Sequence, residues 1–230
     1  MPAERSLLFR FVRRVLPSVL VAMTMLFISA GTLRFWQAWA FAAVSLVFPA
    51  MLFICFHKSD PQLIERRLLK KEKVGGQKLI VRFGMLVSVS CYVLAGLDYR
   101  FGWSRTRLAP VPLWLTVLAF ALILGGQFFI FWVMDVNRFA ARIVQVEAGQ
   151  TVADTGPYRF VRHPMYAASS AMSFFAPLAL SSWIVLPAFV LFVPVLIFRL
   201  LNEEQTLRRD LPGYAEYCQR TRYRLVPLVW

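Results

Sequence analysis

Residues 164–198 read PMYAASSAMSFFAPLALSSWIVLPAFVLFVPVLIF, thirty-five positions without an Asp, Glu, Lys or Arg. As a single helix the stretch would be about 52 Å long at 1.5 Å per residue, far beyond a hydrocarbon core of roughly 30 Å. Ser181 and Ser182 divide it into two halves of near-spanning length, and Pro177, Pro187 and Pro194 interrupt it further. A tight helical hairpin is expected, with limbs at 165–180 and 183–200. The same absence of charge recurs at 15–33, 35–57, 83–97 and 108–134, which predicts earlier spans at 15–33, 36–56, 79–97 and 110–134. Arg82 falls inside the third, near enough to its end for the guanidinium to snorkel to the headgroups.

The composition agrees with this pattern. Of 230 residues 59% are hydrophobic and 17% charged, with a mean hydropathy of +0.59, where a soluble domain carries about 45–50% and 25%. A soluble enzyme is excluded, and the fold class is an all-α, multi-pass transmembrane bundle of about six spans that ends in a helical hairpin and a cytoplasmic helical tail. Trp36, Trp39, Trp103, Trp114, Trp132 and Trp183 fall near the expected span ends, as an aromatic belt does.

Twenty-six Lys and Arg against twelve Asp and Glu give a net charge of +14. In a soluble chain that would suggest nucleic acid, but here the basic residues cluster beside the apolar blocks, and no nucleic acid is expected as a partner. With six spans, one face receives Arg5, Arg10, Arg13 and Arg14, the basic loop 57–78, the segment 135–163 and the tail. The other face receives Arg34, Arg100, Arg105 and Arg107. The positive-inside bias therefore places both termini in the cytoplasm. The apolar run after the first arginines is too long for a signal peptide and is expected to be a retained first span. Loop 57–78, with Pro61, Gly75 and Gly76, predicts a surface amphipathic helix and a turn. Cys55, Cys91 and Cys218 make no pairing pattern, and with only His57 and His163 beside them no metal site is expected. The chain divides into 1–134, four spans with the basic loop, and 135–230, which carries the chemically suggestive residues.

Two polar strips flank the hairpin. The first, 155–166, reads TGPYRFVRHPMY, with Pro164 suited to the first turn of the helix that follows. Arg162, His163 and Tyr166 then sit at a helix N-terminus, where free amides favour an anion or cofactor, although a headgroup-directed Arg, an interfacial Tyr and a structural Pro would look the same. The second strip runs from Arg199 through Glu203 and Glu204 to Tyr214, Tyr217 and Arg220. Leu200, Glu204, Leu207 and Leu211 share one helical face, so Glu204 points with the apolar stripe. A carboxylate there wants a cation or a ligand amine; the purely structural alternative is an ion pair with Arg199 or Arg162. Glu203 is expected to face solvent or an arginine. Pro212-Gly213 breaks that helix before Tyr214 and Tyr217, which would cover a flat ring or seal the tail onto the membrane face. No GxGxxG, GxxxxGK[ST] or HExxH pattern occurs, so no soluble dinucleotide-type domain is encoded. Gly125 and Gly126 are expected to permit close helix packing.

GPY-x3-RHPxY before a hairpin, with EE-x2-L-x5-GY-x2-Y and a basic, proline-ended tail after it, resembles the isoprenylcysteine carboxyl methyltransferase family, which is related to membrane phospholipid methyltransferases. The resemblance covers roughly 130–230. It implies an integral membrane enzyme using S-adenosyl-L-methionine, with Tyr158, His163, Pro164, Tyr166, Glu203, Glu204, Tyr214, Tyr217 and Arg220 around the donor. It also implies a lipophilic or prenylated acceptor, for which a carboxylate is expected, oriented by Arg162 or Arg199 with Glu204 tolerating the donor's charge. Where related sequences often carry Gly two residues after the motif Tyr, this chain has Ala168. Two other classes stay open at this point: an NADPH-dependent membrane sterol or enone reductase, for which Arg220, Arg222 and Arg224 would meet phosphates, and a non-enzymatic lipid-binding protein.

Overall fold

The computed structural model describes residues 2–68, 75–139, 146 and 149–230. Lys70, Lys71 and Lys73 of the basic loop and Arg142 lie outside the described residues. The elements in order are α1 (Pro2–Ala30), α2 (Trp36–Ser59), α3 (Pro61–Leu68), α4 (Gly75–Phe101), α5 (Trp103–Arg107), α6 (Leu113–Val136), α7 (Pro164–Ala179), α8 (Phe189–Asp210) and α9 (Tyr214–Arg220). Short 3₁₀ turns lie at Gly156–Arg159 and Leu186–Ala188. Among the described residues five helices, α1, α2, α4, α6 and α8, are long and apolar enough to cross a membrane. Helix α7, at 16 residues, is about 24 Å long and forms the shorter limb of the hairpin.

The hairpin departs from its expected form in two respects. Its second limb begins at Phe189, not at 183, because Ser181 through Ala188 make a broad turn in which Ser181 takes a positive φ of 56°. Pro177 and Pro194 lie inside helices, so of the three prolines only Pro187 belongs to the break. One residue before Pro49 in α2, Gln127 of α6 inserts its amide into the helix ladder, accepting from Phe48 N at 3.1 Å and donating to Val44 O at 3.0 Å. Both of these backbone groups are thereby satisfied inside the bundle.

The longest helix pairings are α6 with α7 and α1 with α4. Each rests on a glycine. A Cβ on Gly126 would stand 2.6 Å from Met172 Cγ of α7, and one on Gly96 would stand 2.6 Å from Leu26 O of α1. Gly125 faces open space, so of the expected pair only Gly126 serves packing. Ala168 fits where it stands, partly buried beside the cluster of Leu7, Phe11, Leu52, Phe56, Ile130 and Met134.

The contacts sort the chain into two poles. At one, Arg10 of α1 pairs with Glu65 of α3 at 2.8 Å, and Arg66 donates to Arg138 O just past α6 at 2.9 Å. Helix α3 is amphipathic as expected, its start held by Asp60 Oδ1, which accepts from Leu63 N. Its apolar side, Leu63 and Ile64, is fully buried against the bundle. Gly75 and Gly76 open α4 in place of the expected turn, since the helix starts four residues before the expected span. At the opposite pole the buried Asp98 accepts from Ser104 N at 2.7 Å, from Ser104 Oγ and from Ser182 Oγ. Gln37 donates to Ser181 Oγ at 3.0 Å. These bonds pin the hairpin turn to the ends of α2 and α4.

Candidate functional site

Both polar strips lie at the first pole and are sewn together there. Gly156, with φ of +54°, occupies a backbone conformation that a side chain would strain, and its Cα backs onto α6, where a Cβ would meet Val136 Cγ2 at 3.0 Å. Pro157, fully buried, then opens the 3₁₀ turn that aims Tyr158 inward. Arg162 N donates to Tyr223 O and His163 N to Arg224 O, each at 2.9 Å, so the tail runs alongside the motif like a short strand. His163 precedes α7, whose first residue is Pro164. Tyr217 Oη donates to Tyr158 O at 2.8 Å, closing the second strip onto the first.

At the centre is a buried ion cluster. Glu204 is 3% exposed, and Arg162 and His163 are buried with it. Glu204 Oε1 lies 2.7 Å from Arg162 Nη1 and 3.4 Å from His163 Nε2, while Oε2 accepts from Arg224 Nε at 3.0 Å. The Arg162 contact is close in distance but its N–H directions pass beside the carboxylate, so it is ionic attraction more than an aligned hydrogen bond. Arg162 Nη2 is spent on Arg222 O. Of the two readings open for Glu204, the geometry realises the ion pair, with Arg162 and Arg224 and not with Arg199.

Arg199 belongs to a second network. Tyr166 Oη donates to Glu203 Oε2 and accepts from Arg199 Nε at 3.1 Å, which ties the RHPxY tyrosine to the EE pair. Beside these groups opens a cleft that is partly open to solvent. Tyr158, Arg162, His163, Pro164, Met165, Tyr166, Glu203, Tyr214 and Tyr217 line it, roofed by Gln150–Ala153. Of the residues assigned to the donor from sequence, the fold brings Tyr158, His163, Pro164, Tyr166, Glu203, Tyr214 and Tyr217 to one cleft. Glu204 stands behind its wall. Arg220 does not reach it: its side chain is 67% exposed and pairs with Asp154 at 3.1 Å. Glu203, expected to face solvent or an arginine, faces the cleft and Tyr166. Sequence reasoning offers Arg224 only as a phosphate contact and finds neither its pairing with Glu204 nor the 150–153 roof; a residue twenty positions from Glu204 in the sequence carries no local signal of reaching it.

The three cleft phenols outside the hairpin, Tyr158, Tyr214 and Tyr217, are held neutral. Burial, opposed by the Asn137 hydrogen bond, pushes Tyr158 up to about 12. Burial first, then the Glu204 carboxylate, raises Tyr214, and burial raises Tyr217. Tyr214 Oη is also buried with no hydrogen-bond partner among the described residues, an arrangement costly enough to imply that something polar sits against it.

Residues 114–212 match the family model of phospholipid methyltransferase. The chain is also similar to the cobalt-zinc-cadmium resistance protein CzcN of Cupriavidus metallidurans, 28% identical over 174 residues that span 71% of this chain and 69% of that protein. The family match begins in α6 and ends after α8, so it takes in the first motif, the hairpin and the EE pair, and it bears out the resemblance read from those motifs. The likeness to the phospholipid methyltransferase family thus covers the C-terminal part of this membrane chain, from its fourth long apolar helix through the hairpin.

Proposed function

We propose that the chain is a membrane methyltransferase that takes S-adenosyl-L-methionine in the cleft between the two strips and methylates a lipophilic or prenylated carboxylate acceptor. The observation that carries this reading is the convergence of both motif halves on one aromatic, acid-bearing cup in which Tyr214 Oη has no hydrogen-bond partner among the described residues. The residues present fit such a donor. Tyr158, Tyr214 and Tyr217 offer flat faces, Tyr214 a donor hydroxyl without a partner among the described residues, Pro164 and Met165 an apolar wall, and Glu203 a carboxylate for a cationic centre. Bound there, the donor supplies an electrophilic methyl group on a sulfonium.

The protein's own work is positioning and exclusion of water. Arg162, His163 and Arg224 lock Glu204 and so fix the relation of α7 to α8, while Arg199 acts through Tyr166 to aim Glu203. A carboxylate acceptor is ionised at neutral pH and needs no general base. Neutral cleft phenols suit that chemistry, because they add no negative charge to compete with the incoming acid. Attack by a carboxylate on a sulfonium methyl cancels opposite charges, so a dry cup speeds it once the partners are held in line. The reductase alternative calls for tail arginines turned to the ligand. Among the described residues that line the cleft, Arg220, Arg222 and Arg224 do not occur, and Arg224 is engaged by Glu204. The excess of basic residues at the cleft pole favours a cytoplasmic setting for it, where a soluble donor is at hand.

Calorimetric titration of the purified protein with S-adenosylmethionine and its demethylated product tests the reading. Saturable binding of both is expected, weakened about tenfold by Glu203→Gln, a loss typical of a charged hydrogen bond. Transfer of labelled methyl from the donor into a lipid-extractable, base-labile ester is expected to follow. A folded protein that binds neither compound would overturn the proposal.

A further inference from the structure

A second cavity lies beside the cup, in the N-terminal helices that the family match does not reach. It lies, partly open, between α1, α2, α4 and the end of α3. Along α1 it runs from Phe11 to Met23, about 18 Å at 1.5 Å per residue. Val15, Val19, Ala22, Ala42, Phe48 and Leu52 make its wall apolar. Ser18 and Ser45 also line it, but each donates its hydroxyl proton to its own helix, to Val15 O and Phe41 O. At its inner end Phe41 and Tyr92 are shared with a further apolar cavity between α4, α7 and α8, which lengthens the path available to a chain.

Charge is confined to one end. Arg14 and Arg67 line the cavity at the pole of the cup, and Arg14 Nε is buried without a hydrogen-bond partner among the described residues. Arg67 stands at the partition between the two cavities: Nη2 lies 2.9 Å from the sulfur of Met165, itself a wall of the cup, and 3.0 Å from that of Met134. An apolar tube with guanidinium groups at one mouth matches one class of molecule, a hydrocarbon chain with an acidic head.

We propose that this cavity binds a single-chain carboxylate amphiphile, its head held by Arg14 and Arg67 beside Met165 and its chain lying between α1 and α2. The inference rests on the methyltransferase reading for its place in the reaction, but the binding itself does not depend on it. Such a site divides the labour of the chain: the N-terminal helices select the acceptor, while the hairpin and tail hold the donor.

The test uses the full-length protein in nanodiscs of zwitterionic lipid and a fluorescent long-chain fatty acid, with its methyl ester as the uncharged control. The acid is expected to saturate a single site at least about tenfold more tightly than the ester. Arg14→Gln and Arg67→Gln should each cost the acid about tenfold and leave the ester unchanged. Ala22→Phe, which fills the tube and spares both arginines, should weaken the long-chain acid and leave a short-chain acid unaffected. Equal partition of acid and ester, or the same affinity in all variants, would overturn the proposal. Binding of the demethylated donor is titrated in the same samples. Amphiphile binding without donor binding would sink the methyltransferase reading and leave this site standing, and the reverse would sink this site alone.

Discussion

Removing the Glu204 carboxylate is the most informative single change. Its two oxygens hold Arg162 at 2.7 Å, Arg224 at 3.0 Å and His163 at 3.4 Å. Arg162 is 7% exposed, so after Glu204→Ala its charge remains buried with only the Arg222 carbonyl to face it. Breaking a buried pair from one side costs about 3–5 kcal/mol. Arg224 adds little, because its side chain is 28% exposed and can turn to water. Against a typical total of about 5–15 kcal/mol, the loss is a large share of stability. Glu203→Gln, one residue away but on the cleft side, should cost no more than about 1 kcal/mol while weakening donor binding. Unfolding in mixed micelles, followed by near-ultraviolet circular dichroism, reads both. The pair Arg162→Met and Glu204→Met completes a double-mutant cycle: the double variant should recover about 1–3 kcal/mol of the summed single losses, since the uncompensated charge is then gone. Glu204→Ala unfolding within about 0.5 kcal/mol of the parent, or strict additivity in the cycle, would refute the claim that Glu204 acts as the anchor of the cup.

Adjacent glycines on α6 should behave oppositely. Gly125→Ala enters open space and should stabilise by about 0.5–1 kcal/mol, whereas Gly126→Ala must displace Met172 and should destabilise by about 1–3 kcal/mol, both read by the same unfolding assay. Asp98→Asn replaces an acceptor of three hydrogen bonds with a group that is half donor, and should cost about 1–3 kcal/mol. Donor titration in that variant should remain unchanged, because Asp98 lies at the pole opposite the cleft.

Spans are legible in the sequence because lipid leaves the backbone few options. Charge-free blocks locate α1, α2, α4, α6 and both hairpin limbs to within a few residues at most ends. The errors fall where side chains substitute for backbone rules. Pro177 and Pro194 look like breaks, yet each sits within a continuous helix. The hairpin turn is broader than Ser181-Ser182 suggests because Asp98, 84 residues distant, captures Ser182 and stretches the turn toward α4. In the site, periodicity correctly turns Glu204 inward, but it cannot choose among three arginines, since that choice depends on where the tail returns. The pairing of 162–163 with 223–224 decides it, bringing Arg224 in and leaving Arg220 outside on Asp154.

The same pairing explains why the cup tolerates so much buried charge. An ion cluster at this depth is a poor way to gain stability, since desolvation roughly cancels attraction and an apolar set of equal volume would often do better. What charge adds is selectivity of arrangement. Apolar contacts between α7, α8 and the tail would permit sliding and rotation at small cost, whereas Glu204 can satisfy Arg162, His163 and Arg224 together in only one register. That register also places Tyr166 against Glu203 and Tyr217 against Tyr158, the contacts that give the cleft its shape. Glu204 therefore stands one layer behind the cleft, with Arg162 and His163 in the wall between, and sets the positions of the groups that face a ligand, which is where a methyl transfer dependent on alignment gains most from rigidity.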